Sequence, residues 1–353
     1  MVSRALVCLV GASALAQATH VVGPGGFAQV QNALQVASPG DVIVVLPGFY
    51  LGFTANIGVT VVAAVPGTVT LGLLAVNFNL PPAQEARLIG LRCQRLNLQG
   101  GLHVIDDCHL DGPGCGMSAI AATVTMRGCT ILPTVPQLAV VAGLTAWTSD
   151  VTATDCAFAG TNAQASLPPS EAVSLFGSQL RGHHLLLQGG LGAAAMPALR
   201  ADAASQVWLS DSTANADVAA CTITAAQGRV DRCVLTPVCS SIASGFVLGV
   251  SCPQPPQVGT PFTMTFDAPP GTAIGVFADL RLARSTWSAL EQSLLLPVAT
   301  AIPVGVLVAG ASGSAAINWT PPPGATGQAV WLQAFAGFAY PLQASAPAGG
   351  VIR

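Results

Sequence analysis

Lysine is absent from all 353 residues, and the 12 basic residues are arginines scattered along the chain. That excludes a lysine nucleophile, Schiff base or lysine general base. Charged residues make up 8% of the chain, net charge is −3, and no basic run occurs. Electrostatics therefore argues against nucleic acid as a partner. Aromatics are scarce at 5%, so few exposed stacking surfaces can exist. The apolar segments after the N-terminus are broken by Gly and Pro and alternate with polar residues. They are not expected to span a membrane. No Ser-His-Asp arrangement, phosphate loop or dinucleotide fingerprint stands out.

What the chain has is a repeated phrase. It reads Ile105-Asp106-Asp107-Cys108-His109-Leu110, Met126-Arg127-Gly128-Cys129-Thr130-Ile131 and Ala153-Thr154-Asp155-Cys156-Ala157-Phe158. It returns as Leu180-Arg181-Gly182-His183-His184-Leu185, Leu209-Ser210-Asp211-Ser212-Thr213-Ala214 and Val230-Asp231-Arg232-Cys233-Val234-Leu235. Degenerate copies with strand-type residues and a period in the twenties predict a β-solenoid. The Cys position, or its replacement, anchors the unit. Apolar residues five and three before it share one parity, while the anchor and the residue two after it share the other. A straight strand cannot turn both sets inward, so the chain must bend just before the anchor. Asp107, Gly128, Asp155, Gly182 and Asp211 lie there. Asp and Gly tolerate the left-handed backbone such a bend needs. The anchors are spaced 21, 27, 27, 29 and 21 residues apart, as expected for loops of varying length on a constant coil. Leu88-Ile89-Gly90-Leu91-Arg92-Cys93 is an earlier, looser copy. About nine coils would make a stack roughly 40 Å long.

The N-terminus reads as a secretory signal peptide over residues 1–18. Arg4 gives a positive start, Ala5 to Leu15 an apolar stretch, and Ala14-Leu15-Ala16 or Ala16-Gln17-Ala18 a small-x-small cleavage site. Export permits disulfides. Loss of Cys8 leaves nine of the ten cysteines, which cannot all pair internally. Cys108, Cys129, Cys156 and Cys233 sit at the inward anchor, where parallel side chains disfavour bridging. They read as small buried apolar residues. Cys108 with Cys115, and Cys239 with Cys252, are the alternative disulfide candidates.

Phe27, Val30, Ala33, Leu34 and Ala37 share one helical face, ended by Ser38-Pro39-Gly40. Asp41 to Leu46 is a buried strand stopped by Pro47-Gly48. A short amphipathic helix here would cover the open end of the solenoid. The run Phe27 to Tyr50 resembles the opening of secreted right-handed parallel β-helix proteins of the pectin-lyase-like superfamily. Ala37, Pro39, Gly40, Asp41, Ile43, Val45, Pro47, Gly48 and Tyr50 carry that resemblance, and Val59 to Ala63 resembles the next coil. With the repeats it spans roughly residues 20 to 250.

After Cys252 the pattern changes. Pro253-Gln254-Pro255-Pro256 reads as a linker, followed by strand-like pieces at Phe262 to Phe266, Ala273 to Phe277, Ala315 to Trp319 and Val330 to Phe335. A small β-sandwich-like domain is expected over 253–353, with the β-helix over 19–252. Trp319 and Trp331 are expected in its core. Trp147 and Trp287 are the candidates for exposed binding residues.

The densest polar cluster is His103, Asp106, Asp107, His109 and Asp111. Paired carboxylates could act as general acid and base on a glycosidic bond, or several acids could hold Ca²⁺. The simpler reading makes Asp107 the bend residue and the others solvated turn residues. His183 replaces the inward Cys and reads as a core histidine, with His184 outside. The resemblance implies an arginine or lysine base near acidic calcium ligands in pectate-cleaving members, which singles out Arg127. The polygalacturonase pattern of paired Asp followed by Gly-His-Gly is missing, as are the pectate-lyase motifs.

The expectation is therefore an all-β secreted or cell-surface protein with no cofactor, non-catalytic, with polysaccharide as its candidate partner. The alternative is a polysaccharide lyase or glycoside hydrolase. It would use Asp106, Asp107, Asp111 and Arg127, with Ca²⁺ as its metal.

Overall fold

The computed structural model describes residues 17–112, 114–133, 142–163, 168–192, 196–216, 220–223, 227–237, 243–252, 256–280, 282, 294–297, 299–326, 328–337, 342–345 and 347–352. The expected signal peptide falls almost entirely outside these residues. Among them no helix is long and apolar enough to cross a membrane.

The chain divides into two compact units, the larger formed mainly by residues up to Ala243. That unit is a right-handed parallel β-helix. Its coils contribute one strand each to three parallel sheets, here called A, B and C, of eleven, nine and eight strands. The pattern of apolar residues explains why the coils close. In sheet C, Val76, Leu96, Met117, Leu144, Val173 and Leu199 align in one inward column. Phe78, Leu98, Ala119, Ala146, Leu175 and Ala201 align in the next. All of these side chains are buried. Burying each large one contributes about 1.5–3 kcal/mol. The N-terminal helix, α1 (Val30–Leu34), is shorter than its amphipathic pattern and buries Val30, Ala33 and Leu34. It contacts the first strands of the coil stack.

The bend from sheet A to sheet B lies where the repeat placed it in five of six copies. Asp107, Gly128, Asp155, Asp211 and Arg232 have φ of +55°, +59°, +53°, +48° and +50°. The anchor side chain after the bend turns inward and donates to the carbonyl two residues earlier. Cys108, Cys129, Cys156 and Cys233 do so through Sγ, to Asp106, Arg127, Thr154 and Asp231. Ser212 donates to Ser210 in the same way at 2.8 Å. This bond explains why Cys and Ser interchange there.

Two expectations are corrected. In the fourth copy the bend is His184 (φ +52°), not Gly182, and the inward anchor is Leu185. The alternation of Leu185 and Leu187 sets the frame, because both are buried. His183 instead ends the strand Gln179–His183. The Cys108–Cys115 candidate is not formed, both being buried thiols; the Cys252 thiol donates to the Gly349 carbonyl. Cys239 lies outside the described residues. Cys221 is disulfide-bonded. Burial pushes the Cys93, Cys108 and Cys156 thiols well up, and Cys115 to about 12.

The second unit, from Ser244, is antiparallel. Gly249–Ser251, Phe262–Asp267 and Ser314–Trp319 form one sheet. A second sheet is built on Ala273–Asp279, Ile302–Val308 and Ala329–Ala336. The strand Gly249–Ser251 therefore belongs to the C-terminal sheet, although the change in sequence character comes after Cys252. Phe262, Met264, Phe266, Ile317, Trp319 and Trp331 are buried in this unit. Trp287 lies outside the described residues.

Candidate functional site

The four candidate site residues do not converge. Asp106 ends the sheet A strand Leu102–Asp106 and pairs in register with Arg127 on the next coil. Arg127 donates from Nε to Asp106 Oδ1 at 2.9 Å and from Nη2 to both carboxylate oxygens at 2.6 Å. Both side chains are largely buried. Arg127 is thus engaged as the bidentate partner of Asp106. Asp107 is the left-handed bend residue, and its N–H donates to the Arg127 carbonyl at 2.9 Å. Past the bend, Asp111 sits in sheet B and pairs with Arg92.

Asp106 and Asp111 thus belong to different sheets on either side of a corner. Among the described residues, no group of side chains close enough to share a metal ion includes Asp106, Asp107 or Asp111. The donor set does not fit Ca²⁺, which takes six to eight oxygen ligands. His103 points into the core. It is 1% exposed, with Nε2 2.6 Å from the Gly100 carbonyl and its ring edge-on to Phe78. Burial lowers its pKa to about 4, so the ring is neutral.

Sheet B does bring some of the cluster together. Arg92, His109 and Thr130 are register neighbours on three coils. With Asp111, Leu132, Gly67 and Leu110 they line a groove of about 380 Å³. His109 Nδ1 lies 2.6 Å from Thr130 Oγ1, so Nε2 is the ring nitrogen that can meet a ligand. The groove has room for one sugar ring, with an acceptor, a cation and an imidazole at hand.

Sheet C carries a feature that the repeat analysis missed. Thr54, Asn77, Asn97, Ser118, Thr145, Ser174, Arg200 and Thr222 are register partners, one per coil, on the outward face. The first four are linked in a ladder. Asn77 Nδ2 donates to Thr54 Oγ1, Asn97 Nδ2 donates to Asn77 Oδ1 at 2.8 Å, and Ser118 Oγ donates to Asn97 Oδ1. Each Asn amide has two N–H groups and two lone pairs, so the ladder leaves capacity for a ligand. The charge in this row is Arg200, which donates to Glu171 at 3.2 Å.

Two residues further along the same strands runs a second outward row: Asn79, Gln99, Ile120, Trp147 and Phe176. Trp147 and Phe176 stack with ring centroids 5.7 Å apart and planes 13° from parallel. Trp147 is 40% exposed. The corner beyond it fixes its backbone: Thr148 is left-handed at φ +47°, and Ser149 Oγ donates to the Trp147 carbonyl at 2.8 Å. The sequence marked Trp147 as an exposed candidate. It hid the polar row, because intervals between successive members range from 20 to 29 residues.

No protein-family model matches the chain. No curated protein matches it either. Among solved structures, an alginate lyase from Paenibacillus sp. str. FPU-7 is similar at 13% identity and a TM-score of 0.29, over 64% of this chain and 98% of that one. So remote a likeness bears on neither the fold nor the chemistry; the parallel β-helix rests on the strand pairing itself.

Proposed function

We propose that the protein is a secreted, non-catalytic β-helix that binds polysaccharide along the outer face of sheet C. The observation that carries this reading is the eight-coil register of polar side chains on that face, all but Ser174 at least partly exposed. A polysaccharide offers hydroxyls along its whole length, and a row of amides and hydroxyls can meet them repeatedly. Each such bond contributes only about 0.5–1.5 kcal/mol net, so affinity has to come from repetition. The resemblance of residues 20 to 250 to secreted pectin-lyase-like proteins and the signal-like N-terminus support an extracellular setting. The test is retention of the protein on immobilised polysaccharides, with product analysis of the same samples. Binding without new reducing ends, weakened by the double substitution Asn97→Ala, Ser118→Ala, is expected. Retention unchanged by that substitution on every matrix would remove the basis of the reading.

A second reading rests on the sheet B groove, where Arg92, His109 and Asp111 meet. It makes the protein a polysaccharide lyase or glycoside hydrolase, with His109 and Asp111 as the proton-handling pair and Ca²⁺ not required. Asp106, Asp107 and Arg127 lie outside the lining of that groove and take no part in it. Release of reducing ends or of unsaturated uronate, lost in Asp111→Ala and in His109→Ala, would establish this reading in place of the first.

A further inference from the structure

Resting on the polysaccharide-binding reading, we infer that the ligand is a neutral glycan of extended chain with equatorial ring substituents, seated on the Ile120–Trp147–Phe176 step of sheet C. Two neighbouring coils each present a hydroxyl and an apolar group on the same face of one strand, and a third adds an apolar ring. The pairs are Ser118 with Ile120 and Thr145 with Trp147; on the third coil Phe176 continues the apolar row, while Ser174 beside it is buried. Ile120 and Trp147 are 42% and 40% exposed, in a chain that has few aromatics to spare. A pyranose ring whose substituents are all equatorial has the matching pattern: C–H groups on its faces and hydroxyls round its edge. The ring face would lie on the apolar step while the edge hydroxyls reach the Ser and Thr side chains.

Charge sets the class. The six coils from Thr54 to Ser174 carry no ionised group in this row, and Arg200 beyond them is engaged by Glu171. A uronate chain would lose water from its carboxylates and meet no cation on the strands of Ile120, Trp147 and Phe176, since Arg95 lies one coil earlier at the opposite end of its strand. Spacing sets the chain geometry. Successive coils are about 4.8 Å apart, close to the length that one ring adds to an extended β-1,4-linked chain. A glycan lying along the solenoid axis would therefore offer one ring per coil. A chain that curls, as α-1,4-linked glucose does, leaves this line after a ring or two.

The test is calorimetric titration of the whole protein with cellohexaose, maltohexaose and hexagalacturonate, repeated on Trp147→Ala, Phe176→Ala and Trp147→Phe. Cellohexaose is expected to bind best. Each alanine variant should weaken it about tenfold, with the unfolding temperature lowered by no more than a few degrees through loss of the Trp147–Phe176 stack. Trp147→Phe should recover part of the loss, which a folding defect would not explain. Cellohexaose affinity unchanged in both alanine variants would overturn the inference, as would tighter binding of maltohexaose or hexagalacturonate. Retention on immobilised polysaccharide without any cellohexaose binding would also overturn it, while leaving the broader reading intact. Absence of both signals would remove both.

Discussion

Sheets A and B carry their charges in pairs, whereas sheet C presents almost no charge. On the first two, Arg87 binds Glu85, Arg127 binds Asp106, Arg92 binds Asp111, and Arg232 binds Asp211 and Asp231. Much of this acidity has a conformational origin. Asp107, Asp155 and Asp211 stand at the left-handed bend, which Asp tolerates better than most residues. Arginines on adjacent coils then neutralise several of the acids. Sheet C faces the opposite constraint. Its outward rows hold amides, hydroxyls and an aromatic step, and nothing about closing the coil requires those residues there. A dense acidic cluster can thus be the by-product of a corner, while the surface with few charges owes its composition to no such corner.

The comparison can be broken most forcefully at Asp106. Asp106→Ala strips the bidentate carboxylate from a guanidinium that is only 11% exposed. A loss of about 3–5 kcal/mol is expected, seen as a fall in melting temperature on the order of 10 °C. A fall of 1–2 °C would mean the pair is not structural.

The interior behind sheet A supplies the next effect. His103 stays neutral down to about pH 4 in the folded chain but titrates near its ordinary value of 6.5 when unfolded. Above pH 6.5 neither state gains a proton, and stability is complete. As pH falls from 6.5 towards 4 only the unfolded chain takes one up, so stability drops by up to about 3 kcal/mol. Denaturant titrations of His103→Phe between pH 4 and 7 should lack that component, since phenylalanine keeps the edge contact with Phe78. A variant with the same pH slope as the parent would exclude His103 as its source.

A smaller gain is expected at the corner that carries Trp147. Thr148 is β-branched at φ +47°, which is strained for its type. Thr148→Gly should stabilise by about 1 kcal/mol, raising the melting temperature by a few degrees. A decrease would show that its side chain contributes more than the strain costs. The smallest change belongs to Asp111→Ala. Its pair with Arg92 is more than a third exposed, so stability should move by less than about 1 kcal/mol. A change as large as that at Asp106 would erase the distinction between the two pairs.

Much of the fold was legible because the apolar period is a local property. Asp107, Asp155 and Asp211 announced the bend, and the alternation of Phe262, Met264 and Phe266 announced a strand of the second unit. The fourth repeat was misframed for an equally local reason. Gly182 offers a permissive backbone, yet the burial of Leu185 and Leu187 outweighs that preference and moves the bend to His184. The candidate site was read less well. Asp106, Asp107 and Asp111 are near neighbours in sequence, but one corner distributes them over two sheets and a bend. Ser118, Thr145 and Ser174 are far apart in sequence and adjacent in space.

By itself the sequence determined a lysine-free β-solenoid with inward cysteines, followed by a second unit of short strands. Those features follow from side-chain alternation, bend tolerance and composition, each of which acts over a few residues. Only the tertiary structure decided which polar groups share a surface. Loops of unequal length between coils scramble the spacing along the chain, while parallel pairing restores the register at every strand. The polar row of sheet C exists only through that restored register.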